Sequence, residues 1–543
     1  MRHCKNIGIF LFFFGCACSS CGKGDEIPDE PTSIWGEEIF VDPAVEYQEI
    51  DGFGASDAWR CQFVGKNWPE SKKEAIADLL FSQELKQDGS PKGIGLSLWR
   101  FYLGAGSSEQ GAASGIVSDW RRAECFLAPD GTYDWTKHQG QQWFLNAAKE
   151  RGVEKFLAFT IAPPVQFSKN GKATAPADGS MNIQPDKMDD YADFLVAVCE
   201  HFNQQGTPFH YLSPVNEPQW AWTGDGQEGT PATNAEVAGL TRHLSSKLKE
   251  KNLNTQVVIG EAGSLDFLYA GNKAGRDHQV DDFFRPASAN FVAGLPNVAN
   301  LISGHSYFTT FPNQKLISTR QQLAATLASA PGSPAFWQSE FCVLENTDEI
   351  GGGWNRDLTM NTALYVARVI HFDLTLANAR SWQWWTALSE YNYKDGLVFI
   401  DKGNSGINGP NHPDAETLKY DGFYRESKLL WALGNYSRFI RPGMVRIKAG
   451  FTLPETDEEQ AKNLMFSAYK DPGGKRLVLV FVNYSEKEKK LTIGNSGKEL
   501  KLAKNTADAY TTSKSASLQK SVIDVEKIAV PARSVMTLCI QLQ

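Results

Sequence analysis

The sequence predicts an α/β fold, a (β/α)8 barrel with an appended β-sandwich, on two observations. Between about residues 50 and 435, short apolar runs alternate with longer amphipathic patterns, which is the order of parallel strands and crossover helices. After about residue 440, short strand-like runs follow one another with polar connections and no long helical pattern. A length of 543 residues suits a large barrel followed by a smaller domain.

Eight runs are predicted to be the barrel strands, because each is short and rich in β-branched, aromatic or other apolar residues. In chain order they are residues 48–56, 93–102, 154–162, 209–216, 256–261, 301–307, 335–341 and 379–385. Amphipathic helices are predicted between them at 71–80, 187–204, 234–251 and 361–378. Eight strands are the count of a closed barrel, which leaves no sheet edge exposed.

Both ends of the chain are predicted to build the second domain. The barrel is expected to span residues 48–438 and the β-sandwich residues 439–543, with strands at 477–484, 490–493, 521–530 and 534–542. Residues 35–47 also have a strand-like pattern, and we expect them to pair with the sheet of the β-sandwich.

The first residues are typical of a bacterial lipoprotein signal. Arg2 and Lys5 precede an apolar run that is too short to span a bilayer, and small residues and cysteines follow it. Residues 1–15 are therefore predicted to be removed, and Cys16 is predicted to carry the lipid, with Cys18 and Cys21 as alternatives. Residues 16–34 then form a flexible tether. A plain signal peptide is the other interpretation, and both place the protein in the cell envelope, at the outer membrane or cell surface, or outside the cell.

Composition and charge exclude several classes of partner. The net charge of −9 lacks the basic excess that nucleic-acid binding needs, and it is compatible with a neutral ligand such as a sugar. The remaining cysteines are odd in number and lack metal-ligand spacing, so we predict small buried side chains without disulfides at Cys61, Cys125, Cys199, Cys342 and Cys539. We expect a monomer that contacts the membrane only through its lipid and needs no cofactor or metal.

Two carboxylates end predicted strands at the face where barrel enzymes place their chemistry. The fourth strand ends in Val215-Asn216-Glu217-Pro218 and the seventh in Gln338-Ser339-Glu340. Hydrolysis of a glycosidic bond needs one protonated carboxyl group, which gives the leaving oxygen its proton, and one ionised carboxylate. Glu217 and Glu340 are therefore the predicted catalytic pair. Glu261, which ends the fifth strand, is the rival nucleophile, although its place one unit after Glu217 better suits a supporting role.

Polar residues at neighbouring strand ends are predicted to assist the pair and bind substrate. Arg100 ends the second strand and is expected to hold Glu340 ionised, with a structural ion pair elsewhere as the alternative. Tyr307 is expected to donate a hydrogen bond to Glu340. His305 either contacts sugar or is a satisfied core residue, and Asn216 is expected to hydrogen-bond a sugar hydroxyl.

Tryptophans cluster near the same strand ends, and aromatic faces stack on the apolar faces of sugar rings. We predict sugar contacts from Trp59, Trp220, Trp222, Trp382 and Trp384, although some of these rings are expected to pack between barrel and helices instead. Strand alternation places Trp382 and Trp384 on one side and Trp385 on the other. The glycines 351–353 lack the lysine and hydroxyl residue of a phosphate-binding loop, and we interpret them as a flexible loop near the active face.

The motifs resemble those of a known family. Asn216-Glu217-Pro218 at the end of strand four, with Glu340 ending strand seven, is similar to the clan of retaining (β/α)8 glycosidases. The opening 51–56 (DGFGAS) and the trailing β-domain resemble glycoside hydrolase family 30 over about residues 37–543. The resemblance implies double displacement on a polysaccharide or oligosaccharide, with Glu217 as acid/base and Glu340 as nucleophile.

Substrate specificity stays open at this stage. The run 52–56 (GFGAS), followed by Ala58-Trp59, resembles the endo-β-1,6-galactanase branch, although Asp57 and Arg60 bracket the dipeptide here. Xylanase, β-1,6-glucanase and β-glucosidase-like activities are the alternatives within the family. A glycan-binding surface lipoprotein without catalysis, or a structural protein of the cell envelope, would have no need for both Glu217 and Glu340.

Overall fold

A computed structural model describes residues 35–409, 411–494 and 500–543. The predicted signal, the tether and the acylation candidates Cys16, Cys18 and Cys21 lie outside these ranges. Within them, no helix combines the length and the apolar character that crossing a membrane requires.

The described residues form nineteen strands and twelve α-helices. The strands are β1 (Glu37–Glu49), β2 (Gly52–Ser56), β3 (Leu98–Leu103), β4 (Lys155–Thr160), β5 (Tyr211–Ser213), β6 (Gln256–Ala262), β7 (Val298–His305), β8 (Ala335–Glu340), β9 (Ala379–Ser389), β10 (Gly396–Asp401), β11 (Phe423–Glu426), β12 (Val445–Phe451), β13 (Leu464–Lys470), β14 (Arg476–Asn483), β15 (Lys489–Ile493), β16 (Thr506–Thr512), β17 (Gln519–Asp524), β18 (Ile528–Val530) and β19 (Ser534–Gln541). The helices are α1 (Arg60–Asn67), α2 (Glu70–Phe81), α3 (Ser107–Gln110), α4 (Gln139–Glu150), α5 (Met188–Gln204), α6 (Asn234–Glu250), α7 (Gln279–Phe284), α8 (Asn313–Ser329), α9 (Met360–Thr375), α10 (Ala415–Leu418), α11 (Lys428–Ser437) and α12 (Asp457–Lys462).

Strands β2 to β9 form the closed parallel barrel, and the predicted fold class is confirmed. Their hydrogen-bonded order follows the chain from β2 to β8, and β9 closes the ring by pairing with both β8 and β2. Beyond the barrel rim, β9 continues far enough to pair with β10, which pairs in turn with β11. The eight predicted strands therefore correspond one to one with β2–β9.

The bounds of the strands differ from the predicted ones by up to several residues, and in two strands the difference has a plain physical reason. The run 48–56 is divided between two sheets, because the chain leaves β1 at Glu49 and enters the barrel at Gly52. Strand β5 has only three residues, Tyr211–Ser213, since Pro214 follows them and has no N–H to continue the ladder. Glu217 therefore stands on the loop after a short strand, four residues past its end.

A second, mostly antiparallel sheet holds the remaining nine strands, in the order β17-β16-β19-β14-β13-β12-β1-β15-β18. Strand β1 lies inside it, antiparallel to β12 and parallel to β15. The run 521–530 turns out to be two strands, β17 and β18, and the sequence patterns gave no indication of β12, β13 or β16. Strand β16, with the sequence TADAYTT, is too polar to stand out from a connection.

Strand β14 joins the two domains, because it is buried on both faces. Leu477, Leu479 and Phe481 point into the apolar cluster of the second sheet. Alternate residues Val478 and Val480 join the barrel's large outer cluster, to which α9 and α11 also contribute. Burial on both faces explains why the run Leu477–Val482 is apolar at every position. All five cysteines in the described part of the chain are unpaired, and four are buried.

Candidate active site

A cavity of about 520 Å³ opens at the carboxyl ends of the barrel strands, and both predicted catalytic residues line it. Glu217 and Glu340 are 8% and 4% exposed. Aromatic side chains make up much of the remaining wall: Trp222, Tyr307, Trp354, Trp385, Tyr391 and Tyr393. A deep cavity with two carboxylates and many aromatic faces has the composition of a sugar-binding site.

A β-bulge turns Glu340 into the barrel. On β8, alternation points Trp337 and Ser339 inward, and Trp337 indeed belongs to the barrel's interior cluster. The pairing with β7 then shifts, since Gly304 faces Gln338 and His305 faces Glu340, which leaves Ser339 as an extra residue. This extra residue reverses the alternation, so that Glu340 and not its predecessor reaches the cavity.

Two further site residues, one on a strand and one on a loop just beyond a strand, depart from regular backbone. The β6–β7 pairing is irregular before Ala262, and there Glu261 has φ +46°. Glu217 has φ +45°, which is also the left-handed region that residues with a Cβ rarely occupy. Such backbone persists only where the surroundings impose it, and at strand ends it aims side chains that a regular strand would send elsewhere.

Three groups surround the Glu340 carboxylate. Arg100 donates from Nη1 to Oε2 of Glu340. The Tyr307 hydroxyl donates to Oε1 at 3.1 Å, and His305 Nδ1 lies 3.7 Å from the same oxygen. Two cations and one hydroxyl therefore hold the Glu340 carboxylate in a fixed orientation at the cavity wall.

Glu217 lies in an environment that favours its protonated form. Burial raises the pKa of its carboxyl group above the usual value, while a hydrogen bond of 2.9 Å from His305 Nδ1 lowers it by a smaller amount. The backbone carbonyl of Glu217 accepts a 3.0 Å hydrogen bond from the Trp222 indole, which fixes the loop that carries both residues.

Glu261 is a third carboxylate, placed behind the other two. It is fully buried, does not line the cavity and accepts hydrogen bonds from Arg100 (3.1 Å), His305 Nε2 (2.8 Å) and Ser339 (3.0 Å). Burial opposes ionisation, but Arg100 and His305 outweigh it and lower the pKa of Glu261 to about 2. Its position excludes the rival interpretation in which Glu261 attacks the sugar.

His305 is held as a cation by this arrangement. Burial opposes its charge, but Glu340, Glu217 and Glu261 together raise the pKa of the imidazole to about 10. In the described ranges, one group of side chains has donor atoms close enough to share a metal ion, and it is Glu217, His305 and Glu340, whose atoms lie within 4.8 Å of one another. Both ring nitrogens of His305 are engaged in this group, since Nδ1 bonds Glu217 and Nε2 bonds Glu261.

The structure divides the predicted substrate-binding residues into two groups. Asn216, Tyr307 and Trp222 line the cavity. Arg100 and His305 are fully buried. Arg100 contacts Glu340, where it was expected, and His305 bonds Glu217 and Glu261, which corresponds to the alternative of a satisfied core residue. Trp59 is 2% exposed and lies edge-on behind Trp385, and Trp220 packs against Phe267 and Phe308 outside the cavity lining.

Trp382 and Trp384 are also placed away from the cavity, and their predicted sugar contacts are wrong. Both are fully buried, and they pack in the outer cluster between barrel and helices. The predicted alternation along β9 holds, but it is Trp385 that faces the cavity. Period-two alternation separates the residues into two sets without saying which set points inward.

Several cavity residues escaped sequence reasoning. Arg121 comes from the long segment after β3, for which no pattern was recognised. Tyr391, Tyr393 and Asp395 follow β9, and their position just beyond a strand end was a usable signal. Trp354 directly follows the glycines 351–353, which had been interpreted as a loop near the active face.

We predict that Glu261→Gln destabilises the fold by about 3–5 kcal/mol, because it leaves the buried charges of Arg100 and His305 without their partner. The folded-state pKa of Glu261 lies below the unfolded value, so its stabilisation is present above about pH 4 and is lost as the pH falls toward 2. Urea unfolding of both proteins between pH 3 and 7 measures this effect, and the parent alone should lose the contribution at low pH.

Glu200→Gln is the matched control, since Glu200 pairs at 3.1 Å with Lys251 on the protein surface. Exposed pairs contribute about 0–1 kcal/mol, so this variant should unfold close to the parent. A Glu261→Gln variant as stable as Glu200→Gln would contradict the buried charge network.

Comparisons with known proteins are consistent with the site. The model of a family described as O-glycosyl hydrolase family 30 matches residues 36–399. A crystal structure of a conserved exported protein from Bacteroides fragilis is 38% identical and has a TM-score of 0.86, and the match covers 93% of this chain and 100% of that one.

More distant structures share the fold. The catalytic domain of a family 30 xylanase C from Talaromyces cellulolyticus is 21% identical, with a TM-score of 0.64 over 93% of this chain and 100% of that one. An endo-β-1,6-glucanase is 15% identical, with a TM-score of 0.63 over 93% of this chain and 94% of that one.

Proposed function

Since this chain belongs to O-glycosyl hydrolase family 30 and is therefore a glycoside hydrolase, we propose that it cleaves β-linked polysaccharides within the chain by double displacement, with retention at the anomeric carbon. Glu340 is the proposed nucleophile and Glu217 the proposed acid/base. The observation that carries this proposal is the spacing across the cavity, where one oxygen of Glu217 lies within 4.8 Å of one oxygen of Glu340. Retaining enzymes hold their carboxyl groups about 5–5.5 Å apart, whereas inverting enzymes leave room for a water between them.

The proposed reaction has two steps. Glu340 attacks the anomeric carbon while protonated Glu217 gives its proton to the leaving oxygen, which yields a glycosyl ester of Glu340. Glu217, now ionised, takes a proton from a water molecule, and that water releases the sugar and restores both carboxyl groups. The raised pKa of Glu217 and the cations around Glu340 support this division of roles.

His305 contributes to both steps by its charge. It hydrogen-bonds Glu217 and faces Glu340, so it stabilises whichever carboxylate is ionised. Since Glu261 and Glu340 keep it charged, it does not compete with Glu217 for the catalytic proton at neutral pH.

We propose β-1,6-galactan as the substrate, with xylan and β-1,6-glucan as alternatives. The support is the run 52–56 followed by Ala58-Trp59, which resembles the β-1,6-galactanase branch. The xylanase and the glucanase among the similar structures are below 25% identity, so they inform the fold and leave the choice between substrates open.

The test is hydrolysis of β-1,6-galactan, arabinogalactan, xylan and β-1,6-glucan by the parent and by Glu340→Gln. We expect one glycan to be cut by the parent alone, with the new reducing end first appearing as the β-anomer by NMR. An initial α-anomer would disprove retention. A parent that binds one glycan and cuts none of them would disprove the hydrolase proposal for this panel.

We further propose that the protein is exported and held at the cell surface by a lipid on Cys16. The similar Bacteroides fragilis protein, called exported, and the cysteine-rich end of the apolar run support this. Cys16→Ser should abolish labelling by a clickable palmitate analogue and release the protein from the membrane fraction. Labelling that persists in Cys16→Ser but stops in Cys18→Ser or Cys21→Ser would move the anchor to that residue.

A further inference from the structure

One side of the cavity is built from two chain segments, 351–354 and 390–395, which we call the rim wall. Trp354, Tyr391, Tyr393 and Asp395 of this wall line the cavity. Trp354 is 60% exposed, and of the tryptophans in the described ranges only Trp35 is also exposed. An exposed indole beside a catalytic cavity offers a flat apolar face on which a sugar ring can stack.

Backbone hydrogen bonds hold the two segments together as a small sheet. Trp354 and Tyr393 form an antiparallel bridge, and the Lys394 N–H donates to the Gly353 carbonyl at 2.7 Å. On the other side, Tyr391 bridges to Ile407. The wall is therefore a fixed part of the cavity and is organised before any ligand binds.

Lys394 fastens this sheet from within. Its ammonium group donates to the carbonyls of Gly352 (2.6 Å) and Trp354 (2.8 Å), and it has no carboxylate partner in the described part of the chain. A buried lysine that binds only main-chain oxygens acts as a clamp on the turn that presents Trp354.

Gly353 is required by the same packing. A Cβ at this position would lie 1.9 Å from the Tyr393 ring, so only glycine lets the ring lie across the backbone. The Trp354 and Tyr393 rings then meet edge to face, with centroids 5.3 Å apart. The predicted flexible loop at 351–353 is thus a fixed turn near the active face, and its Gly353 makes room for the aromatic pair of the wall.

Arg60 supports the wall from below. Its guanidinium is fully buried, pairs with Glu390 and lies 3.6 Å from Asp395, so both ends of the segment 390–395 are tied to α1. This gives the charged residue beside Trp59 a structural reason, since it anchors the segment that carries Tyr391 and Tyr393.

The geometry points to a second sugar subsite on the rim wall, and we propose that Trp354 is its platform. This inference rests on the proposed function. Glu340 and Glu217 hold the scissile bond in the buried part of the cavity, whereas Trp354 stands at its open mouth. A cavity of about 520 Å³ exceeds the needs of one sugar ring, so a neighbouring unit of the chain occupies the mouth. Trp354 thereby makes a polysaccharide, and not a short glycoside, the preferred substrate.

The test measures kcat/KM on oligosaccharides of increasing length from the glycan that the panel identifies. The parent should show a rise in kcat/KM when the chain becomes long enough to reach Trp354. Trp354→Ala should lose that step, by about tenfold, while Trp354→Phe should keep part of it. Lys394→Met removes the hydrogen bonds to the Gly352 and Trp354 carbonyls, so it should reduce the rise in kcat/KM with chain length. Lys394→Arg can still donate to these carbonyls and should retain the rise.

Trp35→Ala is the matched control, since it removes an exposed indole just before β1, where Lys490 packs on its ring. The Trp35→Ala variant should show the same rise in kcat/KM with chain length as the parent. Binding of the longest oligosaccharide by Glu340→Gln, with and without Trp354→Ala, repeats the comparison without turnover and should show the same tenfold weakening. Unchanged steps and unchanged binding in Trp354→Ala would overturn the subsite while leaving the hydrolase proposal intact. A parent that cuts nothing would defeat the hydrolase proposal, and the binding comparison would still decide the subsite.

Discussion

Glu340→Gly should lower kcat on the natural glycan by about 10⁴-fold or more, because it removes the proposed nucleophile while leaving a cavity beneath the anomeric carbon. Sodium azide should restore turnover by entering that cavity. Since azide then attacks from the side of the missing carboxylate, the product should be the α-glycosyl azide. The measurement is the initial rate with and without azide, with the anomer assigned by NMR.

Glu345→Gln is the control for this loop, because Glu345 lies five residues further on and bonds the Thr310 hydroxyl at 2.7 Å. It should retain activity within about threefold of the parent, because Glu345 does not line the cavity and glutamine keeps an acceptor oxygen for Thr310. A Glu340→Gly variant of comparable activity, or a β-glycosyl azide product, would remove Glu340 from the nucleophile role.

Glu217→Ala should have the second largest effect, and the effect should depend on the leaving group. General acid catalysis contributes about 10²–10⁴-fold, so hydrolysis of the natural glycan should fall by that factor. A dinitrophenyl glycoside needs no proton on its leaving group, so its first step should persist and the glycosyl enzyme should accumulate. Azide should rescue this variant too, but through the β-glycosyl azide, because here it replaces the water on the opposite face.

The pH profile supplies an independent check on Glu217. The group must carry its proton for the first step, so activity should fall as the pH rises through its pKa. Because burial raises that pKa, the fall should come at a higher pH than a free glutamate would give. Glu217→Gln should lose this basic limb altogether, and a profile of unchanged shape would show that another group titrates.

The fold was largely predictable because its signal is repeated. Eight apolar runs separated by amphipathic patterns specify a barrel even when each boundary is uncertain by several residues. The predicted helix 187–204 matches Met188–Gln204 because its apolar stripe is long and regular. Strands such as Thr506–Thr512 were missed because they are short and polar, and they exist only through pairing with distant neighbours.

The site was predictable where it coincides with strand ends. Glu217, Glu340, Asn216 and Tyr307 follow or end strands, and all of them line the cavity. Sequence could not decide which of the residues near these ends touch ligand and which support those that do. Arg100 and His305 have the chemistry of ligand contacts, but burial turns them toward the carboxylates.

Contacts between loops that are distant in sequence could not be predicted, for a different reason. Trp354 and Tyr393 meet because two loops form a bridge, and neither loop has a periodic pattern that indicates this pairing. The glycines at 351–353 were noticed, yet what they accommodate is a ring forty residues away in the chain.

Because of the bulge at Ser339, the part of β8 that packs in the barrel core and the residue proposed for catalysis are positioned independently. Before Ser339, the side chains of β8 alternate between the barrel interior and the helices, as core packing requires. After Ser339 the alternation is shifted by one residue, so that Glu340 points into the cavity. If Ser339 instead took a regular place in the ladder, alternation would point Glu340 toward the helices. Substitutions in the core of this strand can therefore accumulate without moving the carboxylate, as long as the bulge at Ser339 is kept.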